Sequence, residues 1–229
     1  AGTAVAKDKE PNLDQVEKAA KWMSANFFDV RCFGAVMQTG ANAGQVLGPV
    51  QMTFARSVDP VLPMDIAITR MAVAEDVKDE DYDKWANDKP ESRRRTMGGK
   101  QMIPYGLYAF QIFISANHAQ KAGFTEADLG VLKEALVNLF ELNRTASKGF
   151  MAPRGIFAFK HVGTDSNPEQ RIAQAKLGCC PAHKLVELGA VVNVKRQPSV
   201  QFARQFSDYE VSVDLAKIPA GVEMQDWLN

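Results

Sequence analysis

The chain has 229 residues, 46% of them apolar and 24% charged, which suits one large globular domain over residues 1–229, or one domain with insertions, able to bury a core. Lys plus Arg equals Asp plus Glu at 27 each, which excludes recognition of a polyanion by an overall electrostatic field. Any such partner has to be gripped by local basic clusters.

Three cysteines, Cys32 and the adjacent Cys179 and Cys180, give no evenly spaced disulfide framework and point to a reducing, intracellular compartment. No stretch approaches the roughly 18 apolar residues that a membrane span needs, and "AGTAVAKDKEPN" has no signal-peptide core, so a cytoplasmic protein without a membrane partner is expected. That opening has no start methionine and reads like a linker, so a preceding segment in the parent protein is expected.

From Asn12 to Phe28, the apolar residues Leu13, Val16, Ala20, Met23 and Phe27 fall at near-helical spacing, with Asn12 placed as N-cap and Gln15 three residues on. The β-branched and aromatic "VRCFGAVM", residues 30–37, predicts a strand, and "QTGANAGQVLGP" a loop. "VQMTFARSV" and "MDIAITRMAV" predict extended segments on either side of the proline-bracketed "DPVLP". Residues 75–91, "EDVKDEDYDKWANDKPE", are acidic and without apolar periodicity, as expected of a solvated excursion. "YGLYAFQIFIS", residues 105–115, predicts a strand. Thr125 followed by Asp128 predicts a capping box, ahead of a helix whose apolar stripe is Leu129, Leu132, Leu136, Leu139 and Phe140. "RGIFAFKHV" predicts a further strand, residues 168–177 a polar helix and "DYEVSV" a late strand. The order of helix, strand, excursion, strand, helix and strand is that of the back portion of a split βαβ arrangement.

Few of these residues suggest catalysis. Cys180 and His183 in "CCPAHK" have C-x-x-H spacing, but a zinc site needs four ligands and Cys32 is distant in sequence, so no metal is assigned. His118 and His161 have no neighbouring acid or cysteine that would make a dyad, and no histidine is given a catalytic role. Gly98, Gly99 and Lys100 lack the remainder of a Walker pattern, because Gln101 follows the lysine and a strand replaces the helix. The basic residues Arg31, Arg56, Arg70, Arg93, Arg94, Arg95, Lys100, Lys148, Arg154 and Lys160 lie at strand ends or beside strands. Phe33, Phe54, Tyr105, Tyr108 and Phe157 are interleaved with them, a composition that suits backbone-following recognition of single-stranded nucleic acid but also an ordinary core.

The blocks "FFDVRCFGAVMQTGANAGQVLGPVQMTFARSVDPVLPMDIAITRMAV", "RTMGGKQMIPYGLY", "NRTASKGFMAPRGIFAFKH" and "PAHKL" together resemble the backbone subunit of the CRISPR surveillance complex Cascade, subtype I-C, within the RAMP superfamily. The likeness runs from about residue 22 to the C-terminal "DYEVSVD" and "IPAGV". It implies an α+β fold: an RNA-recognition or ferredoxin-like (RRM-like) palm with an inserted β-hairpin thumb, placed at residues 74–104. It further implies a non-enzymatic ribonucleoprotein subunit of antiviral defence, without a cofactor. Copies of the chain would polymerise along CRISPR RNA (crRNA) beside other Cascade subunits and present the guide in short segments to a target DNA strand, pairing rather than protein reading the sequence. Family members begin with a core strand and a "GNPNGDP"-like loop, neither of which occurs here, so the first core strand is expected from preceding residues or a neighbouring chain.

The RNA-binding set implied is Arg31, Phe33, Gln45, Gln51, Arg56, Arg93, Arg94, Arg95, Thr96, Met97, Lys100, Tyr105, Lys148 and Arg154. "RRRTMGG" would be the RNA-facing return of the thumb. Met97, between three arginines and two glycines, either wedges between stacked bases or packs against the next strand. The alternative function is a RAMP-type endoribonuclease using an excursion acid such as Asp76 or Asp79; solvated charge is the competing explanation of those acids.

Overall fold

The structure, a computed structural model, describes residues 13–38, 42–70, 96–145, 148 and 150–228. Within them the chain is α+β, built from short helices and two-stranded sheets, in keeping with the RAMP and ferredoxin-like class. It divides into two compact units. The first comprises Ala1–Arg56, Ala109–Lys195 and Glu210–Asn229, the second Ser57–Tyr108 and Arg196–Tyr209.

In the first unit, α1 (Leu13–Asn26) carries the i,i+4 pairs Asp14–Lys18 and Glu17–Lys21, both at 2.7 Å, on its exposed face. Val16, Ala20 and Met23 of the expected stripe turn partly inward, whereas Leu13 and Phe27 are exposed. The segment expected as a strand over 30–37 is divided. Its first half belongs to α2 (Phe28–Phe33), and only Gly34–Met37 forms β1. The helix is marked by the Arg31 amide donating to the Phe27 carbonyl at 3.1 Å, an i to i−4 bond, and within it Val30 and Cys32 are buried while Arg31 meets Asp128. Strand β1 pairs antiparallel with β2 (Gly44–Leu47), from Gly34 opposite Leu47 to Met37 opposite Gly44.

Next, β3 (Val50–Met52) pairs antiparallel with β8 (Ile112–Ile114). The long strand expected over 105–115 is interrupted, with β7 (Tyr108–Ala109) pairing instead with β4 (Arg56–Ser57). At the interruption the Thr53 amide donates to the Gln111 carbonyl at 2.9 Å and the Gln111 amide to Thr53 Oγ1 at 3.0 Å. A helix that the sequence pattern does not predict, α3 (Ala116–Ala122), starts at Ser115, whose Oγ accepts from the His118 amide, and stops at Gly123. The expected capping box is present: Thr125 and Asp128 exchange side-chain to backbone bonds at the head of α4 (Glu126–Val137). Leu132 and Leu136 of this helix join Cys32 and Val50 in one core cluster, flanked by Phe28, Ile112, Ile156 and Trp227.

Strand β9 (Phe157–His161) pairs antiparallel with β12 (Val222–Asp226), and α5 spans Pro168–Leu177, the range expected. Asn167 caps α5, with Pro168 in its first turn. Helix α6 (His183–Val186), β10 (Val192–Arg196) and β11 (Tyr209–Val213) follow, the last two paired. Leu185, Val191 and Val222 form a second cluster, with Phe159, Cys179 and Cys180 packed against it.

The second unit contains a hairpin of β5 (Met64–Arg70) and β6 (Thr96–Met102), in antiparallel register from Met64 opposite Met102 to Arg70 opposite Thr96. The acidic run at 75–91 lies outside the described residues. A tie joins the two sequence segments of this unit. The Tyr209 hydroxyl donates to Asp59 Oδ2 at 2.8 Å, Arg196 Nη1 lies 3.5 Å from Asp59 Oδ1, and the Tyr105 ring sits 6.5 Å from that of Tyr209. Burial, then the Asp59 carboxylate, pushes the Tyr209 phenol up to about 12, so it remains a donor at any physiological pH.

Candidate nucleic-acid interface

Three of the expected contact residues meet in one place. Phe33 at the end of α2, Gln45 on β2 and Gln51 on β3 line an open cleft of about 320 Å³ in the first unit, together with Val36 and Leu47. Its floor is a backbone-to-backbone contact. Gly34 has φ +82°, and a Cβ on Gly48 would lie 2.2 Å from the Gly34 nitrogen. Side chains are therefore excluded from both positions, and the β1–β2 hairpin lies directly on the end of α2. The cleft walls offer exposed aromatic and aliphatic surface (Phe33, Val36, Leu47) next to exposed amides that both donate and accept (Gln45, Gln51). Gln51 Nε2 reaches only the Gly48 carbonyl, at 3.3 Å. Apolar faces beside adaptable amides can receive a nucleobase and part of its sugar and phosphate. The paired glycines in "CFGAVM" and "QVLGPV" were the sequence signal for this contact, legible only once both were known to flank the same hairpin.

Arg31 is used otherwise. Its Nη2 and Nε donate to the two oxygens of Asp128 at 2.7 and 3.1 Å, and its Nη1 donates to the Ser24 and Ala25 carbonyls at 2.8 and 3.2 Å. With side chains 18% and 11% exposed, the pair joins α1, α2 and the head of α4, and the guanidinium is committed inside the fold rather than offered to phosphate. The Arg31 bond, supported by the Thr125 amide and hydroxyl, holds the Asp128 carboxyl down at about 2. Beside it, burial pushes the Cys32 thiol up to about 11, which keeps it an inert apolar neighbour.

The other expected residues are distributed. Arg56 is exposed on β4, directly after Phe54, which is 96% exposed, and Ala55. Lys148 and Arg154 are exposed in the first unit. In the second unit Lys100 is half-buried on β6 opposite Ile66, and Tyr105 packs on Tyr209. The backbones of Thr96 and Met97 pair with Arg70 and Thr69, while their side chains and all of Arg93, Arg94 and Arg95 fall outside what is described. Further along β6, Gly98 and Gly99 have no positive φ, and a Cβ on either would meet no atom of the described residues within 4 Å.

His161 is part of a structural bond, its Nδ1 accepting from the Cys179 amide at 2.9 Å. Among the described residues no three His, Cys, Asp or Glu side chains gather where they could hold a metal ion, and no helix is long and apolar enough to cross a membrane.

The described residues form an α+β chain of short antiparallel ladders in the RAMP and ferredoxin-like class, with an aromatic and amide cleft and exposed basic residues. The family model described as CRISPR-associated protein Cas7 matches residues 2–214, and the chain belongs to that family, whose members are backbone subunits of CRISPR effector complexes and generally non-catalytic. No curated protein matches the chain.

Proposed function

We propose that this chain is the crRNA-binding backbone subunit of a Cascade complex of subtype I-C. Several copies polymerise along the guide, beside other Cascade subunits, and hold it for pairing with a target DNA strand. The family match over residues 2–214 supports the backbone-subunit part of this reading, and the likeness of the sequence blocks named above supports the subtype. The cleft of Phe33, Gln45 and Gln51 and the exposed Arg56, Lys148 and Arg154 supply the chemistry it needs, stacking surface, amides and phosphate-gripping cations. The β5–β6 hairpin is the stem of the thumb expected at 74–104, with Lys100 on its return strand and the arginine run just before it. The subunit itself does no chemistry and acts by holding RNA.

Size-exclusion chromatography of the purified protein, with and without nuclease treatment, tests the proposal. Co-eluting RNA and large assemblies that shrink on nuclease treatment are expected. A monomer that carries no RNA and binds none added would overturn it. Labelled RNA recovered intact after incubation with the protein, with and without divalent metal, separates it from the endoribonuclease alternative, which requires discrete cleavage products.

A further inference from the structure

We propose that the segment Arg196–Asp208 is a second, preformed contact with single-stranded nucleic acid, in which the Phe202 ring stacks on a base and Arg204 takes the adjoining phosphate. The inference rests on the RNA-backbone reading above and adds residues outside the cleft and the thumb.

The segment is closed at both ends. The Gln197 amide donates to the Asp208 carbonyl at 2.9 Å and Gln197 Nε2 to the Ser207 carbonyl at 2.8 Å. A turn at Pro198 and Ser199 brings the Val200 amide to the Gln197 carbonyl at 2.9 Å. On the return, the Asp208 carboxylate accepts from the amides of Arg204 and Gln205, at 2.7 and 3.2 Å, and from Gln205 Nε2 at 3.3 Å. The same bonds, that from the Arg204 amide first, hold the Asp208 carboxyl below its ordinary range. A loop tied this thoroughly has little conformational entropy left to lose when a ligand arrives.

What it presents is a ring that the loop does not bury, since Phe202 is 71% exposed, with exposed Arg204 two residues on. Asp208, the sole carboxylate from Arg196 to Asp208, is taken up by the amides of Arg204 and Gln205, and Arg196 faces Asp59, so Arg204 and the glutamines Gln201 and Gln205 make the exposed face cationic and amide-rich. An apolar protein partner would be met by several apolar side chains; one aromatic ring among arginine and amides suits a base and its phosphate instead. The same tripeptide, Phe-Ala-Arg, occurs at 54–56 in the first unit, where Phe54 is 96% exposed and Arg56 is exposed as well. Twice, then, the chain sets this ring and this guanidinium out in solvent.

The test measures binding of the full chain to a dye-labelled single-stranded oligoribonucleotide and to the oligodeoxyribonucleotide of the same sequence across a salt series. Phe202→Leu is expected to weaken binding about 5- to 100-fold with the salt slope unchanged, and Phe202→Trp to keep it. Arg204→Gln is expected to lower the slope by about one. In the wild-type complex, 2-aminopurine placed at successive positions is expected to be quenched at the stacked base, and the strand showing quenching, RNA or DNA, is the one the loop holds. Phe202→Leu binding both strands like wild type, or no quenched position in either strand, overturns the inference. So does a Phe202→Leu defect confined to self-association in sedimentation, which would make the loop a protein contact. Wild type binding neither strand would end the RNA-backbone reading as well, whereas wild-type binding that Phe202→Leu leaves unchanged would end this inference alone.

Discussion

At the scale of single residues, the Arg31–Asp128 pair separates folding from binding. Both partners are largely buried and fully hydrogen-bonded, so Arg31→Ala leaves an uncompensated carboxylate and is expected to cost about 3–5 kcal/mol in denaturant unfolding. Affinity for RNA per folded molecule should not change; a selective loss of affinity with unaltered stability would show Arg31 at the interface after all. The same pair sets an acid limb. Because the Asp128 carboxyl lies lower in the folded chain, at about 2, than in the unfolded one, its contribution is complete above the ordinary carboxylate range and is lost as pH falls toward 2. That contribution is about 2 kcal/mol, and Asp128→Asn should flatten unfolding free energy against pH between about 4 and 2. The glycine contact under the cleft makes a second prediction. A Cβ on Gly48 would stand 2.2 Å from backbone atoms that cannot swing aside, so Gly48→Ala should destabilise the chain by about 1–3 kcal/mol and weaken RNA binding by spreading the cleft. Unchanged melting and unchanged affinity together would show that the hairpin does not lie on α2 as described.

At the scale of elements, the β5–β6 hairpin invites a substitution that should improve the fold and damage function. Gly98 and Gly99 need no positive φ, and a Cβ on either would meet none of the described residues, yet they lower strand propensity. Glycine in an open strand fits a backbone that another molecule approaches closely. Gly98→Val and Gly99→Val should therefore leave stability unchanged or raise it by up to about 1 kcal/mol, while RNA affinity falls. Equal affinity in the valine variants would remove the hairpin backbone from the interface. How far such elements are legible in sequence depends on where their determinants lie. The capping box at Thr125 and the polar helix over 168–177 depend on local signals, and the structure has both where the sequence put them. Helix α2 was hidden because "VRCFGAVM" has strand composition, whereas its helical form depends on Asp128, 97 residues away in sequence, and on burial of Cys32. The break in the 105–115 strand likewise depends on Thr53 meeting Gln111. At the site, Phe33, Gln45 and Gln51 were named on family likeness, and their convergence needs the glycine contact, which no periodicity reveals.

At the scale of the whole molecule, the absence of net charge shapes how RNA should be held. With 27 cationic and 27 anionic residues there is no long-range field to attract the guide, so binding should come from a few phosphate contacts and be insensitive to base identity. The logarithm of affinity should fall linearly with the logarithm of salt, and the slope should shrink by about one for each phosphate-bound cation removed, as by Arg56→Gln. A salt-independent affinity would mean that stacking alone retains the RNA. Large side chains left in solvent, Phe150 and Leu142 in the first unit and Leu62 in the second, are surface that the proposed assembly along the guide would cover.

The tie of Tyr209 and Arg196 to Asp59 also has a consequence for how the chain is made. The second unit is assembled from residues 57–108 and 196–209, so its first segment leaves the ribosome well before the partner that closes it exists. At ordinary synthesis rates of about 5–20 residues per second, the 87 residues from 109 to 195 that separate the two segments impose a wait of about 4–17 s. Through that interval Asp59 and Tyr105 have no Tyr209 to meet, and Asp59 has no Arg196 beside it. Completion of the second unit is thus a late, post-emergence event, and a ribosome stalled anywhere before residue 196 releases a chain whose hairpin has no anchored base.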